Sequence, residues 1–229
     1  MGRVYIQSEN RRKEYKESRE VPLGTVMLGD FFSKDREPLG ERLMLVNASH
    51  PIPQPMNRPS LIPVCDEYPE ILMEETAAQA LKRLLRDIGS GGRIVPVSGW
   101  RSHEEQQKIW DDTAAERGID FTRKYVAVPG CSEHETGLAI DLAENAPDID
   151  FICPEFPETG ICGLFRRMAP YYGFVLRYPK DKQDVTGIGN EPWHFRYVGM
   201  PHALIMQREG LVLEEYVDWL EKGGRQKGA

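Results

Sequence analysis

The stretch Ser132-Glu133-His134-Glu135-Thr136-Gly137-Leu138-Ala139-Ile140-Asp141 joins a polar loop to a short apolar run that carries a carboxylate. His134 and Asp141 lie seven residues apart, and Gly137 interrupts the chain between them. The apolar run predicts a core strand over Leu138–Leu142. Imidazole nitrogen and carboxylate oxygen both ligate Zn²⁺, and a loop followed by a strand can direct two such side chains at one point. A buried Asp141 needs a partner because an unpaired carboxylate is costly inside a protein, and a metal ion would be such a partner.

A second polar cluster, Glu191-Pro192-Trp193-His194, opens the β-type run that predicts a strand over His194–Val198. A catalytic zinc site needs three protein ligands, an open position for water and a nearby carboxylate. His194 would complete the ligand set, and Glu191 would be the general base. Singly these residues indicate little, since a lone histidine is usually structural and Asp141 could cap a turn. Cys131 is a further possible thiolate ligand, but no second cysteine has a matching spacing.

The segment before these clusters predicts an alternation of helix and strand. Apolar residues at helical spacing predict a helix over Glu74–Ile88, and a β-type run follows at Arg93–Val97. Ser102 and Glu105 have the spacing of a capping box and predict the start of another helix, which runs to about residue 116. Arg101 is therefore expected at a strand-to-helix junction.

The remaining elements intermix without a strict βαβ order, which favours the α+β class. They are a strand at Leu43–Val46, a helix at Gly163–Tyr172, a strand at Phe174–Leu176 and two helices after Pro201 and Leu211. Residues 1–40 show no sustained period and are expected to form a partly ordered arm. A single domain over residues 41–222 and a short tail at residues 223–229 complete the prediction.

Composition excludes several classes of protein. The 229 residues are 40% hydrophobic and 28% charged, which is ordinary globular usage. A net charge of −7 gives no basic field, so we expect no nucleic-acid partner. No apolar run approaches the roughly 20 residues that span a bilayer, and the first residues lack the apolar core of a signal peptide. We therefore expect a cytoplasmic protein, unless an export segment has been removed. Whether Cys153 and Cys162 pair is left open.

Three motifs together resemble those of a known enzyme family. They are Ser98-Gly99-Trp100-Arg101-Ser102, the Ser132–Asp141 stretch and Glu191-Pro192-Trp193-His194-Phe195-Arg196-Tyr197-Val198-Gly199. In this order they resemble the zinc D-alanyl-D-alanine carboxypeptidases and dipeptidases of the VanY, VanX and VanXY type, and the similarity runs from about Leu43 to Leu220. The resemblance implies one domain with a small central antiparallel sheet flanked by helices, the D,D-peptidase or hedgehog-like fold.

The same resemblance implies a metal centre and its base. His134, Asp141 and His194 fall on the positions that bind one Zn²⁺ per chain in the family. Glu191 falls on the position of the general base, which takes a proton from the attacking water and returns it to the leaving amine. Hydrolysis would therefore proceed without a covalent acyl-enzyme.

The resemblance also assigns residues to the substrate. Arg101 is implied to polarise the scissile carbonyl and to stabilise the oxyanion, a role that suits a permanently charged fork of donors. Gln106, one helical turn further on, and Ser132 match positions that contact the terminal D-alanine in relatives. Tyr178 is a weaker candidate for the same pocket, since a half-buried aromatic residue at a strand end is equally common.

The implied function is hydrolysis of the terminal D-Ala-D-Ala bond of peptidoglycan precursors, with the free dipeptide as a further possible substrate. Kinship implies a role in resistance to glycopeptide antibiotics such as vancomycin, although cell-wall turnover would use the same residues. Two alternatives stay open: an L-Ala-D-Glu peptidoglycan endopeptidase and a zinc-holding, non-catalytic binding module. Glu191 and Arg101 argue against the module, and the segment from Ser98 to Gln106 fits carboxypeptidases better than endopeptidases.

Overall fold

A computed structural model of the chain describes residues 40–53 and 60–223, and in this part it contains six strands and seven helices. The strands are β1 (Leu61–Pro63), β2 (Leu72–Glu74), β3 (Ile94–Ser98), β4 (Ala139–Glu144), β5 (Phe174–Tyr178) and β6 (Glu191–Tyr197). The helices are α1 (Glu75–Asp87), α2 (His103–Arg117), α3 (Ile119–Tyr125), α4 (Gly160–Met168), α5 (Gln183–Thr186), α6 (His202–Glu209) and α7 (Leu213–Glu221). Short 3-10 helices lie at Glu41–Leu43, Glu133–Thr136 and Ala169–Tyr172. The predicted N-terminal arm and C-terminal tail, apart from Gly40 and Gly223, lie outside the described residues.

A four-stranded antiparallel sheet in the order β3-β4-β6-β5 forms the centre of the domain, and β1 and β2 form a separate hairpin. The register of the four-stranded sheet places Asp141 of β4 opposite His194 of β6 and opposite Ser98 of β3. Tyr178 of β5 pairs with Glu191 of β6. Helices flank this small sheet, so the predicted α+β class is confirmed. The two predicted clusters therefore lie on neighbouring strands.

The two faces of the sheet carry different chemistry because strand side chains alternate in direction. On β6, and on β4 with the residue before it, alternate residues belong to the hydrophobic core: Leu138, Ile140, Leu142, Trp193, Phe195 and Tyr197. This face packs against α1 through Ala77, Leu81 and Leu84, which are fully buried. Asp141, His194 and Arg196 alternate with them and lie on the other face, where Asp141 and His194 line the polar site.

An irregularity in the β5–β6 pairing adds a residue to this polar face. In a regular strand Glu191, three residues before His194, would lie on the opposite face. The register of β5 and β6 shifts between Leu176 and Tyr178. A shift of this kind redirects side chains, and here both Glu191 and Tyr178 reach the same cavity as His194.

Most local predictions are confirmed with small changes at the ends. Ser102 Oγ accepts from the Glu105 backbone at 3.2 Å and Glu105 Oε2 accepts from the Ser102 backbone at 2.7 Å, which completes the predicted capping box of α2. Strand β6 begins at Glu191 rather than at His194. The helix predicted at Gly163–Tyr172 is α4 followed by a 3-10 turn. The sequence did not indicate β1, β2, α3 or α5.

The predicted strand over Leu43–Val46 is wrong. The chain forms a 3-10 helix at Glu41–Leu43 and then continues without a ladder, apart from one bridge between Asn47 and His50. The Arg196 guanidinium donates to the Arg42 and Met44 carbonyls at 3.1 and 3.0 Å. These carbonyls are thus satisfied by a side chain from β6, and strand pairing is not needed.

None of the helices in the described residues has the length and apolar content that crossing a membrane requires. All four cysteines are free thiols. Cys162 belongs to the hydrophobic core and Cys153 packs against it, and burial raises the pKa of each thiol to about 11. A thiol with so high a pKa stays protonated at neutral pH, so neither is an activated nucleophile.

Candidate active site

One cavity at the polar face of the sheet collects every site residue predicted from the sequence. It encloses about 460 Å³ when the part open to solvent is included. The predicted residues that line it are Arg101, Gln106, Ser132, His134, Asp141, Tyr178, Glu191 and His194. Apolar side chains complete the wall, among them Ile109, Val126, Phe151, Ile152 and Ile188. Cys131 is not part of this lining.

The predicted ligand residues form a buried cluster at the base of the cavity. One donor atom from each of His134, Asp141 and His194 lies within 4.8 Å of the others. Asp141 Oδ1 lies 2.9 Å from His194 Nδ1, and its Oδ2 lies 3.1 Å from His134 Nε2. His134 reaches this point from a 3-10 turn that Gly137 ends with a φ of +75°, a conformation that glycine adopts without strain. Two nitrogens and one carboxylate are a donor set that Zn²⁺ accepts.

The imidazole of His134 is oriented by the backbone. Its Nδ1 donates to the Gly99 carbonyl at 2.7 Å, which leaves Nε2 unprotonated and directed at the cluster. Gly99 lies tightly against β2, because a Cβ at this position would come within 2.2 Å of the Leu72 carbonyl oxygen. The Trp100 amide donates to that same carbonyl at 2.6 Å. Only glycine permits this approach, and the approach places the carbonyl that holds His134.

The imidazole of His194 is oriented by a side chain that the sequence did not indicate as functional. Its Nε2 lies 3.4 Å from Glu133 Oε2, which leaves Nδ1 for the cluster. Glu133 Oε1 lies 2.7 Å from Arg177 Nε and 2.9 Å from Arg196 Nη1. Burial alone would raise the pKa of Glu133, but the two guanidinium groups hold it well below its usual range. Two arginines inside apolar strands were the available signal, since buried guanidinium groups need a carboxylate partner.

Arg101 makes three hydrogen bonds, one of which joins it to Asp141 of the cluster. Its Nε donates to Ser98 Oγ at 2.8 Å, Nη2 to Asp141 Oδ2 at 3.0 Å and Nη1 to Gln106 Oε1 at 3.1 Å. Gln106 in turn donates to the Ala127 carbonyl at 2.8 Å. Gln106 therefore orients the guanidinium, a contact that was not foreseen beside its predicted role at the substrate.

Glu191 lies at the edge of the cluster, with Oε2 3.8 Å from His194 Nδ1. Burial raises the pKa of Glu191 to about 8, because the nearby His194 and Arg101 offset the desolvation only in part. Its carboxyl can therefore both accept and return a proton near neutral pH. The Tyr178 ring lies with its centroid 4.9 Å from that of His194. Tyr178 and Ser132 line the cavity, and neither hydroxyl has a hydrogen bond to the described residues.

The electrostatics of the cluster favour a cation. Burial would lower the pKa of His194, but its contacts with Asp141 and Glu133 raise it to about 9. Asp141 and Glu133 thus favour positive charge at this position. A metal ion bound to His134, Asp141 and His194 would occupy the same field. The fold, this cluster and the adjacent Glu191 define the class of protein as a zinc metallopeptidase.

Comparison with known proteins identifies the family. The family model described as VanY, D-alanyl-D-alanine carboxypeptidase, matches residues 70–200. The chain is 40% identical over 185 residues to the bifunctional D-Ala-D-Ala dipeptidase and D-Ala-D-Ala carboxypeptidase VanXYC of Enterococcus gallinarum, an alignment that covers 80% of this chain and 97% of that protein. The chain belongs to the VanY family of D-alanyl-D-alanine carboxypeptidases.

Solved structures agree with this membership. The vancomycin resistance D,D-dipeptidase VanXYg, crystallised with a D-Ala-D-Ala phosphinate analog, is 52% identical with a TM-score of 0.78, and the match covers 79% of this chain and 72% of that one. A mutant of the vancomycin resistance D,D-pentapeptidase VanY from a VanB-type resistance cassette, solved in complex with Zn(II), is 31% identical with a TM-score of 0.63, over 77% of this chain and 99% of that one. The recognised family and its fold are confirmed.

Proposed function

We propose that this chain is a zinc-dependent D,D-carboxypeptidase that removes the terminal D-alanine from peptidoglycan precursors ending in D-Ala-D-Ala and also cleaves the free dipeptide. The observation that carries the proposal is that Glu191 and Arg101 lie in the same cavity as the His134, Asp141 and His194 cluster. A binding module would need neither a buried base nor an oxyanion partner. The bifunctional name of VanXYC and the D-Ala-D-Ala analog bound to VanXYg support both substrates.

The metal would be held by His134 Nε2, by the Asp141 carboxylate and by His194 Nδ1, the three donors that converge in the cluster. When bound, zinc supplies Lewis acidity, which lowers the pKa of water and polarises a carbonyl group. The second nitrogen of each imidazole is already engaged, by the Gly99 carbonyl for His134 and by Glu133 for His194. The ligands are thus preorganised.

Glu191 would act as the general base and then as the general acid. Its carboxylate takes a proton from the water that attacks the carbonyl carbon of the penultimate D-alanine. When the C–N bond breaks, Glu191 returns this proton to the amine of the leaving D-alanine. The distance of 3.8 Å between the Glu191 carboxylate and His194 Nδ1 supports this assignment. A base placed in this way contributes about 10²- to 10⁴-fold to the rate.

Arg101 would hold the carbonyl oxygen as negative charge develops on it. The guanidinium stays charged and is aimed into the cavity by Ser98, Asp141 and Gln106. A donor fixed before the reaction stabilises an oxyanion without the cost of reorganisation. The hydroxyls of Ser132 and Tyr178 would receive the terminal carboxylate of the substrate, and the apolar wall would receive its methyl groups.

The test is D-alanine release by the zinc-loaded protein from three substrates: free D-Ala-D-Ala, a muramyl pentapeptide ending in D-Ala-D-Ala, and the matching tetrapeptide that ends in one D-Ala. We expect release from the first two, none from the tetrapeptide, and none in the presence of a chelator. Cleavage of the pentapeptide between L-Ala and D-Glu would instead support the endopeptidase. No product from a protein with zinc bound would support the binding module.

Substitutions test the division of labour among the residues. We expect Glu191→Gln to retain zinc and to lose activity by about 10²- to 10⁴-fold, since only the base is removed. His134→Ala and Asp141→Ala should lose the metal. Zinc content after dialysis and D-alanine release are measured on each variant. A Glu191→Gln protein that is folded but free of zinc would contradict these roles.

A further inference from the structure

We propose that Glu133 is a positioning residue for the metal centre: it holds Nε2 of His194 so that Nδ1 points at the metal, and Arg177 and Arg196 hold Glu133 in place. The inference rests on the proposed function, because it assumes that His194 binds a metal ion. It adds a structural layer behind the ligands, which the predicted site residues do not include.

The first step is the contact between the two side chains. Glu133 and His194 are both buried, with 0% and 5% of their side-chain surface exposed. Glu133 Oε2 lies 3.4 Å from His194 Nε2, and in the part of the chain that the structure describes no other polar group contacts this nitrogen. The rings of Tyr178 and His134, at centroid distances of 4.9 and 5.0 Å, limit its tilt. Glu133 therefore decides which nitrogen of His194 carries the proton.

The second step is what holds Glu133. Its Oε1 lies between Arg177 Nε at 2.7 Å and Arg196 Nη1 at 2.9 Å, and all three side chains are 0% exposed. Arg177 uses its other edge to bind Glu214 of α7 through two hydrogen bonds of 2.7 and 2.8 Å. Arg196 binds backbone carbonyls near the start of the domain. Through Glu133 and the two arginines, His194 is thus connected to Glu214 of α7 and to the backbone of residues 42–44.

The third step is the contrast with His134. Its outer nitrogen is held by the Gly99 carbonyl, a backbone group that no substitution removes. His194 depends on a carboxylate, so its support can be removed while the three ligands stay in place. Partners of this kind typically change metal affinity by about 10- to 100-fold when they are altered.

The experiment compares Glu133→Gln with Glu214→Gln in the full chain. Both substitutions remove one carboxylate from the same buried network and both leave Arg177 short of a charge, but only Glu133 contacts His194. The dissociation constant for Zn²⁺ is measured by competition with a chromophoric chelator, and the Co²⁺-loaded proteins are examined by absorption spectroscopy. Circular dichroism shows which variants are folded.

We expect Glu133→Gln to weaken zinc binding by about 10- to 100-fold and to alter the Co²⁺ spectrum, and Glu214→Gln to leave both near those of the unsubstituted protein. Equal zinc affinity in both variants and the unsubstituted protein would overturn the proposal, as would an equal loss in both. If Glu133→Gln does not fold, Glu133→Asp keeps the charge for the arginines and withdraws it from His194, and the same outcomes apply. Failure of the proposed function would appear separately, as no D-alanine release by the zinc-loaded unsubstituted protein.

Discussion

The back and the front of the cavity differ in how deeply their charged side chains are buried. The back wall, defined as Glu133 together with Arg177 and Arg196 behind it, is fully buried, and of the three only Glu133 lines the cavity. The front loop, defined as residues 145–159 between β4 and α4, carries Asp150 and Phe151, whose exposed fractions are 40% for the Asp150 side chain and 46% for Phe151. Within the back wall, two buried guanidinium groups contact the Glu133 carboxylate. The front loop is held by the surface ion pair of Asp150 with Arg117 and by Phe156, which is buried and whose carbonyl accepts from Arg166 at 3.0 Å.

The front loop nevertheless has a defined position. Asp150 Oδ2 accepts from Arg117 of α2 at 2.7 Å, and its Oδ1 accepts from the Ile152 and Cys153 backbone at 2.8 and 3.0 Å. This arrangement places the Phe151 ring 5.7 Å from the Arg101 guanidinium. Ion pairs in high dielectric contribute little, whereas an unpaired charge in the interior costs several kcal/mol. The back wall is therefore expected to control stability and metal binding, and the front loop access of the substrate.

The largest effect is expected from Arg177→Met. The substitution leaves Glu133 and Glu214 without their shared partner in the interior, and removal of one member of a buried pair costs about 3–5 kcal/mol. The free energy of unfolding is measured by urea denaturation. The matched control is Arg86→Met, whose pair with Asp87 lies at the surface and whose loss should not be measurable. Equal free energies of unfolding for the two variants would contradict the expected difference between buried and surface ion pairs.

An intermediate effect is expected from Arg101→Lys, at the residue that contacts both Asp141 and Phe151. Lysine keeps the charge but cannot donate in a fork to Ser98, Gln106 and a carbonyl oxygen. We expect kcat to fall by about 10²- to 10³-fold while zinc content stays full. Steady-state kinetics on D-Ala-D-Ala and metal analysis decide this. Loss of zinc would instead make Arg101 a support for Asp141.

The smallest effect is expected from Arg117→Gln, which removes the ion pair between α2 and Asp150 of the front loop. The exposed pair contributes at most about 1 kcal/mol, so KM for the pentapeptide should rise by no more than about fivefold with kcat unchanged. Lys108→Gln is the control, because it breaks a surface pair with Asp112 on the same helix without touching the loop. A fall in kcat or in zinc affinity would show that the front loop acts on the chemistry.

Local features were predictable because their causes lie within a few residues. The capping box of α2 and the apolar stripe of α1 depend on neighbours along the chain, and both are confirmed. In place of the strand predicted over Leu43–Val46, the Met44 carbonyl and the preceding Arg42 carbonyl accept from Arg196, which lies on a strand more than 150 residues away. A pattern of apolar residues does not indicate which distant side chain will form hydrogen bonds with the backbone of that segment.

By itself the sequence determined the candidate ligands, the candidate base and the family, since His134, Asp141, His194 and Glu191 stand in motifs whose spacing suits a loop followed by a strand. Only the tertiary structure decided which nitrogen of each imidazole faces the cluster. That choice depends on Gly99, 35 residues from His134, and on Glu133, 61 residues from His194. Both hydrogen bonds join groups that are far apart in the chain. The pairing of β4 with β3 and with β6 brings these groups within reach of one another.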